Sequence, residues 1–256
     1  MRIAPIMRRS HVGGATMLAF RVVALALALV TVAGAQDLPF LGLAGAPASA
    51  FPKPDRPVAD IISPIWHDET TRDAADEPGQ LVRLLDIKAG MIIADIGAGS
   101  GYYTVRLSPI VGPNGRVIAQ DVQGDYLQGL RRRVHELGLK NVTIGLGEPH
   151  DPRLPTNTID LALLVHMYHE IAQPYGLLYN LASALKPGGR VAIVDTTSRT
   201  SEHGTPPGLL RCELRAVGYH EMEFHQLHGS PAYLAIFASP AIAERPAPSS
   251  IAACRE

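Results

Sequence analysis

The sequence is short of several features that mark common classes of protein. Its formal net charge is −1 at pH 7 and only 18% of its residues are charged, so it has no overall positive field that would attract nucleic acid. Two cysteines, Cys212 and Cys254, are too few for a disulfide framework, and no Cys/His spacing is typical of zinc ligands, so we expect no metal site. Hydrophobic residues make up 46% of the 256 residues, which is enough for the core of one domain with extensions.

The first 35 residues have a composition of their own. Four arginines precede an apolar run over 22–32, and the small residues Ala33-Gly34-Ala35 follow it. This order is typical of a cleaved secretory signal peptide, while an uncleaved membrane anchor and a chain that is not exported are the alternatives. Because the arginines lie before the apolar run, we expect the rest of the chain to be exported, in the periplasm or anchored at the membrane through this segment. Export would permit a disulfide, but we expect Cys212 to be a small packed residue of a helix.

Composition also divides the remainder of the chain. Residues 36–57 are rich in Pro, Ala and Gly and predict a linker. Residues 240–256 are rich in Pro and Ala and predict a loose tail. Between them, over 58–239, apolar runs that read as strands alternate with segments of helical periodicity, which predicts a folded α/β domain.

The most specific stretch of this domain is MIIADIGAGSGYYT, from Met91 to Thr104. It reads as a buried strand, a glycine-rich turn and the start of a helix. This order is typical of a nucleotide-binding site, because glycines allow a tight turn and the close approach of a ligand, and a helix N-terminus offers backbone N–H groups. The glycines fall at the first, third and fifth positions, whereas the dinucleotide fingerprint needs the first, third and sixth.

A second strand supports the same interpretation. It runs from Arg116 to Asp121, and Asp121 lies 24 residues after Gly97. In a βαβ unit this spacing places the carboxylate beside the glycine loop, where it can accept hydrogen bonds from ribose hydroxyls. A third strand over 141–144 leads into a loop in which Asp151, or alternatively Glu148, is expected to reach an adenine ring.

Two of these motifs resemble those of the class I S-adenosylmethionine (SAM)-dependent methyltransferases. One is the glycine loop with Asp95 two residues ahead of it, and the other is the segment LKPGG over 185–189 between a helix and a fifth strand. The resemblance covers about residues 90–239. It implies a Rossmann-like, doubly wound sheet of seven strands, mostly parallel with the last strand antiparallel, and SAM as the cofactor. The cofactor contacts that it implies are Asp95, Gly97, Ala98, Gly99, Gly101, Tyr102, Asp121, Val122, Asp151 and His166.

The segment HMYHEI over 166–171, after the fourth strand, looks most like small-molecule methyltransferases of the quinone-biosynthesis kind. It lacks the Asn-Pro-Pro-Tyr type of motif, which argues against amines of nucleic-acid bases as the substrate. His166, His169 and Glu170 are the candidate catalytic residues, because such groups can take a proton from a methyl acceptor near neutral pH. A structural histidine at the end of a strand is the alternative for either imidazole. His203, in the loop after the fifth strand, is expected to be solvated, and contact with an acidic substrate is the alternative.

We therefore predict an enzyme that transfers a methyl group from SAM to a small-molecule acceptor, without a nucleic-acid partner. Methyl transfer is an in-line displacement at a sulfonium, so orientation can supply much of the catalysis. SAM is made in the cytoplasm, whereas the chain is predicted to be exported. The first alternative is therefore an exported protein that binds SAM or a nucleoside without catalysis. An NAD-dependent oxidoreductase is the second alternative, which the glycine spacing disfavours.

Overall fold

A seven-stranded sheet organises the computed structural model, which describes residues 38–61 and 69–256. The predicted signal peptide over 1–35 lies outside these residues. The strands are β1 (Ile92–Ile96), β2 (Arg116–Asp121), β3 (Val142–Leu146), β4 (Ile159–Val165), β5 (Leu185–Thr196), β6 (His220–Gln226) and β7 (Ala232–Ala238). Their order across the sheet is β3-β2-β1-β4-β5-β7-β6, and only β7 runs antiparallel to its neighbours. This arrangement confirms the predicted fold.

Helices connect the strands and flank the sheet. They are α1 (Glu69–Ala74), α2 (Glu77–Leu84), α3 (Tyr102–Val111), α4 (Gly124–Glu136), α5 (Pro174–Ala184) and α6 (Pro207–Ala216). Short 3-10 helices lie at Ala48–Ala50, Tyr168–Glu170, Thr200–Glu202, Ile242–Glu244 and Pro248–Ser250. Within the described part of the chain, no helix is both long and apolar enough to cross a membrane.

The central strands are mostly apolar because both faces of the sheet are covered. Along β4, Leu161 and Leu163 belong to the core on one face, and Ala162 and Leu164 belong to the core on the other. Burying one such aliphatic side chain contributes about 1.5–3 kcal/mol. The two cores therefore hold the central strands firmly, and the loops at the strand ends remain available for a site.

The order in which the chain adds strands to the sheet reverses between β1 and β4. From β1 the chain order runs outward through β2 and β3 on one side, and through β4 and β5 on the other. The loops after β1 and β4 therefore lead to opposite sides and leave a crevice between them, which is where open α/β sheets bind ligands.

Residues 38–59, which we call the N-terminal strap, pack along the domain and correct the predicted linker over 36–57. The backbone of Leu146 donates to the carbonyl of Pro39 (2.9 Å), and Gly42 donates to the carbonyl of Arg153 (2.6 Å). A Cβ on Gly42 would lie 2.1 Å from the carbonyl oxygen of Leu154. The small residues that suggested flexibility therefore serve close packing.

The predicted loose tail over 240–256 is also corrected, since its end packs on the domain. Cys254 is buried and forms a disulfide with Cys212 of α6. Ile251, in the same segment, is buried as well. Glu256 accepts hydrogen bonds from the backbone (2.8 Å) and hydroxyl (3.1 Å) of Thr200. Cys212 is exposed and paired, so the expectation of a packed single cysteine is wrong.

Candidate functional site

One cavity lies at the carboxyl ends of β1, β2 and β4, where the strand order reverses. We call it the glycine-loop cavity. The loop Gly97-Ala98-Gly99-Ser100 lines it, together with Asp121, Val122 and Tyr126 from the next unit of the fold. Apolar side chains complete its wall, including those of Ile96, Val165, Met167, Ile171 and Leu177. The loop therefore faces a cavity in which a nucleoside could bind.

The glycine loop requires its glycines. Gly97, Gly99 and Gly101 have φ values of +68°, +53° and +83°, a region that favours glycine. A Cβ on Gly97 would lie 2.9 Å from Cε and Cγ of Met167, and one on Gly101 would lie 2.2 Å from Cδ1 of Leu130. Gly97 and Gly99, two of the predicted cofactor contacts, line the cavity. Gly101 is not among the described lining residues, and instead sits at the start of α3.

The amides of this loop mostly hold the loop itself. Ala98 donates to the carbonyl of Gln120 (2.9 Å), and Gly101 donates to the carbonyl of Ala98 (2.8 Å). Gly99 donates to Oδ2 of Asp121 (2.9 Å), while Oδ1 of Asp121 accepts from the backbone of Gln123 (2.9 Å). These three N–H groups are therefore already paired within the protein.

Two buried acids flank the loop. Burial raises the pKa of Asp121, although the backbone donors act in the opposite direction. Burial also raises the pKa of Asp95 to about 6, against hydrogen bonds from Thr104 that lower it. The hydroxyl of Thr104, in α3, donates to Oδ2 of Asp95 (2.6 Å), so Asp95 ties the end of β1 to that helix. Both acids line the cavity.

Asp151 does not occupy the predicted adenine position. Its Oδ2 accepts from the backbone of Gly45 in the strap (2.7 Å), and its Oδ1 accepts from the backbone of Arg153 (2.9 Å). Neither Asp151 nor Glu148 is among the described residues that line the glycine-loop cavity, whereas Pro149 is. The strap, whose Gly45 donates to this carboxylate, could not be expected from the sequence.

The second cavity adjoins the first, and we call it the histidine cavity. Its described wall consists of Arg72, Ala75, Glu77, His166, His169, Thr196, His203, Gly229, Ser230 and Pro231. Arg72 and His166 line both cavities, so His166 stands where the two spaces meet. His203 belongs to this wall, and its buried Nδ1 corrects the expectation that the residue is solvated.

Glu77 holds His166 in this position. Its Oε2 lies 3.0 Å from Nε2 of His166, and its Oε1 accepts from the Tyr103 hydroxyl (2.6 Å) and from Arg72 (2.7 Å). Burial opposes ionisation of Glu77, but His166, Arg72 and Tyr103 together lower its pKa to about 2. An ionised carboxylate only accepts hydrogen bonds, so Nε2 of His166 is the donor in this pair.

His169 has a different carboxylate partner. Its Nδ1 lies 3.0 and 3.1 Å from the two carboxylate oxygens of Asp195, at the end of β5. Asp195 also accepts from the Thr205 hydroxyl (2.7 Å) and the Thr196 backbone (2.8 Å). Nε2 of His169 is buried and has no hydrogen-bond partner in the part of the chain that the structure describes.

The strap and α6 support the segment that carries His169. Arg56 donates through Nε to Glu213 (2.9 Å), and both side chains are fully buried. The guanidinium of Arg56 also contacts the carbonyl oxygens of Tyr168 and His169, at 3.4 Å each. Removing one partner of a buried charge pair destabilises a protein by several kcal/mol. Arg56 therefore holds the 3-10 helix Tyr168–Glu170 in place.

The predicted site residues divide between the two cavities. Of the candidate catalytic residues, His166 lines both, His169 lines the histidine cavity and Glu170 lines the glycine-loop cavity. Tyr102 lines the glycine-loop cavity as well. Sequence reasoning missed Glu77 and Arg72, which precede β1 and carry no motif.

Comparisons with known proteins agree with this geometry. A family model described as a methyltransferase domain matches residues 87–223, which is more than half of the chain. The chain therefore belongs to the methyltransferase domain family, and the predicted resemblance to class I SAM-dependent methyltransferases is confirmed. SAM is the cofactor that this family implies.

Individual relatives are distant. The chain is 26% identical to a demethylmenaquinone methyltransferase of Bacillus cytotoxicus over 121 residues, which are 47% of this chain and 51% of that protein. It is 29% identical to a protein-L-isoaspartate O-methyltransferase of Methanothrix thermoacetophila over 147 residues, or 56% and 65% of the two chains. A SAM-dependent methyltransferase structure from Aquifex aeolicus superposes with a TM-score of 0.63 at 26% identity, covering 68% of this chain and 95% of that one. The chain thus spans about half the length of the first of these relatives.

Proposed function

We propose that this protein binds SAM in the glycine-loop cavity and transfers its methyl group to a small molecule in the histidine cavity. The observation that carries the proposal is that Arg72 and His166 line both cavities. A cofactor in one cavity and an acceptor in the other would meet beside His166. Holding two reactants in a fixed orientation can account for much of the catalysis of such a displacement.

The glycine-loop cavity fits this cofactor by its chemistry. Gly97 leaves open the space beside Met167 that a Cβ would fill, and each oxygen of Asp121 has a further lone pair for a ribose hydroxyl. Val122, Pro149 and Leu177 give apolar contact area for a purine ring. When bound, SAM supplies a methyl group on a positively charged sulfur as the electrophile.

His166 is the catalytic candidate that the geometry favours. The Glu77 carboxylate fixes the proton on Nε2 and thereby fixes the orientation of the ring. Nδ1 of the neutral ring can then accept a proton from the acceptor as the new bond to the methyl carbon forms. Glu77 acts through His166 as a positioning residue.

Support for a small-molecule acceptor comes from the depth of the histidine cavity. His169 on its wall is only 2% exposed, and the wall also carries polar groups from Thr196 and His203. Polar side chains converging in a concave site are typical of small-molecule recognition. A quinone-type acceptor is the first to test, because the Bacillus cytotoxicus relative is named for one.

We also propose that the protein is exported. The basic, apolar and small-residue order of the first 35 residues supports this proposal. The Cys212–Cys254 disulfide is a second, independent support, because disulfides persist in oxidising compartments and are rare in the cytosol.

Calorimetric titration of the full chain with SAM tests the cofactor site. Asp121→Asn keeps the shape of the side chain but removes its charge, and we expect affinity to fall about 10-fold, or 1.4 kcal/mol. Asp125→Asn, on exposed α4 surface, is the matched control and should bind as the wild type does. A folded protein that does not bind SAM would contradict the proposal. Binding without release of S-adenosylhomocysteine, for any quinone-type or other small-molecule acceptor, would favour the non-catalytic alternative.

A further inference from the structure

Three side chains of the kind that bind metal ions come together beside the two cavities. His169, Glu170 and His203 offer ligand atoms that all lie within 4.8 Å of one another. They come from the loops after β4 and β5, so the topology brings them together although their spacing in the sequence matches no metal motif.

The state of His169 makes it a ready ligand. Nδ1 of His169 faces the carboxylate of Asp195, at 3.0 and 3.1 Å from its two oxygens, so Nε2 is the ring nitrogen that is left for a ligand. This Nε2 is buried and without a hydrogen-bond partner among the described residues, on a side chain that lines the cavity. An unsatisfied buried nitrogen destabilises the protein, and a bound ion would relieve this cost.

His203 completes the pair of imidazoles. Its ring lies edge-on to that of His169, with centroids 5.3 Å apart, and its Nδ1 is likewise buried with no partner in residues 38–61 and 69–256. Its backbone has φ +54°, a conformation that is uncommon for a residue other than glycine and that often marks a functional position.

We propose that His169, Glu170 and His203 bind a divalent transition-metal ion, for which Zn²⁺ is the reference ion. Two imidazoles and one carboxylate form a common three-residue zinc set that leaves a coordination position open. A ligating histidine is typically oriented by a carboxylate bonded to its other ring nitrogen. Asp195, which is itself fixed by Thr196 and Thr205, supplies that carboxylate for His169. This proposal replaces the expectation, from sequence spacing, that the chain has no metal site.

The distances need a small closure on binding. Ligand atoms about 2.1 Å from a tetrahedral ion lie about 3.4 Å apart, and all pairs here lie within 4.8 Å, so the widest pair must approach by at most roughly 1.4 Å. His203 is half-buried and follows a 3-10 helix of three residues, so its side chain can rotate inward. His169 is fixed by Asp195 and would receive the ion.

Competition for Zn²⁺ between the full-length, non-reduced protein and a chromophoric chelator tests the site. We expect one tightly bound ion per chain. His203→Asn should weaken binding by about 100-fold or more, given that even outer-shell partners contribute 10- to 100-fold, and asparagine tolerates the backbone of position 203. His225→Gln is the matched control, because it removes a surface histidine that also pairs with a glutamate. It should leave the affinity unchanged.

Wild-type affinity in His203→Asn, or an equal loss in His225→Gln, would overturn the proposal. Circular dichroism checks that each variant is folded. If His203→Asn does not fold, Glu170→Gln decides, since it keeps the shape of the side chain and removes the charged ligand. Unchanged Zn²⁺ affinity in that variant would equally contradict the site.

Discussion

The glycine-loop cavity and the histidine cavity share Arg72 and His166, but they are built from different parts of the chain. The first is formed around one continuous turn, from Gly97 to Ser100, and a strand-end acid, Asp121. The second is formed by residues from α1, α2, the end of β5 and the loops after β4, β5 and β6. The first cavity therefore has a local backbone motif at its centre, and the second depends entirely on distant segments being held together.

The largest expected effect comes from reducing the disulfide. Cys212 and Cys254 are 42 residues apart, and closing a loop of this length stabilises a protein by about 4 kcal/mol in the chain-entropy account. Reduction should lower the free energy of unfolding by about that amount, measured by urea denaturation with and without reductant. The double variant Cys212→Ser/Cys254→Ser is the control and should not respond to reductant.

The same experiment sharpens the comparison between the cavities. The C-terminal tail supports Thr200, close to His203, and α6 supports the segment of His169 through Arg56. Zn²⁺ binding should therefore weaken more than SAM binding on reduction. An equal loss of both would mean that the two cavities are not independent in the way their contacts indicate.

Glu77 should show the next largest effect, through pH. Its folded pKa of about 2 lies below the ordinary value of 4.5, so it contributes stability above pH 4.5 that is lost as the pH falls towards 2. Between pH 6 and pH 3 the wild type should lose about 2 kcal/mol more than Glu77→Gln, by linkage over this window. Urea denaturation at the two pH values measures this. Parallel losses would show that the carboxylate is not held as an ion.

The fold and the first cavity could be predicted largely from the sequence. The glycine loop and Asp121 belong to contiguous motifs with local geometry, so their spacing in the sequence predicts how they are arranged. Glu77 and His203 could not be assigned, because their roles depend on where α2 and the loop after β5 meet. The strap and the tail were misread because a Pro-, Ala- and Gly-rich segment can be either loose or closely packed, and composition does not distinguish the two.

Gly97→Ala tests the local character of the glycine-loop cavity. The new methyl group would force Met167 to move in the cavity that it lines, and overpacking of this kind costs about 1–3 kcal/mol. SAM affinity should fall roughly 10- to 100-fold, while Zn²⁺ affinity should stay within a factor of about 2. Gly138→Ala is the control, because Gly138 has a similar φ of +64° but open space around it. An equal loss of SAM binding in both would assign the effect to backbone strain alone.

A crystal structure of the full chain with SAM is the most direct test of the proposed function. We expect the nucleoside between the glycine loop and Asp121, and the methyl group directed past His166 towards the histidine cavity. SAM bound elsewhere, or bound with its methyl group directed away from His166, would contradict the account that the two cavities form one methyl-transfer site.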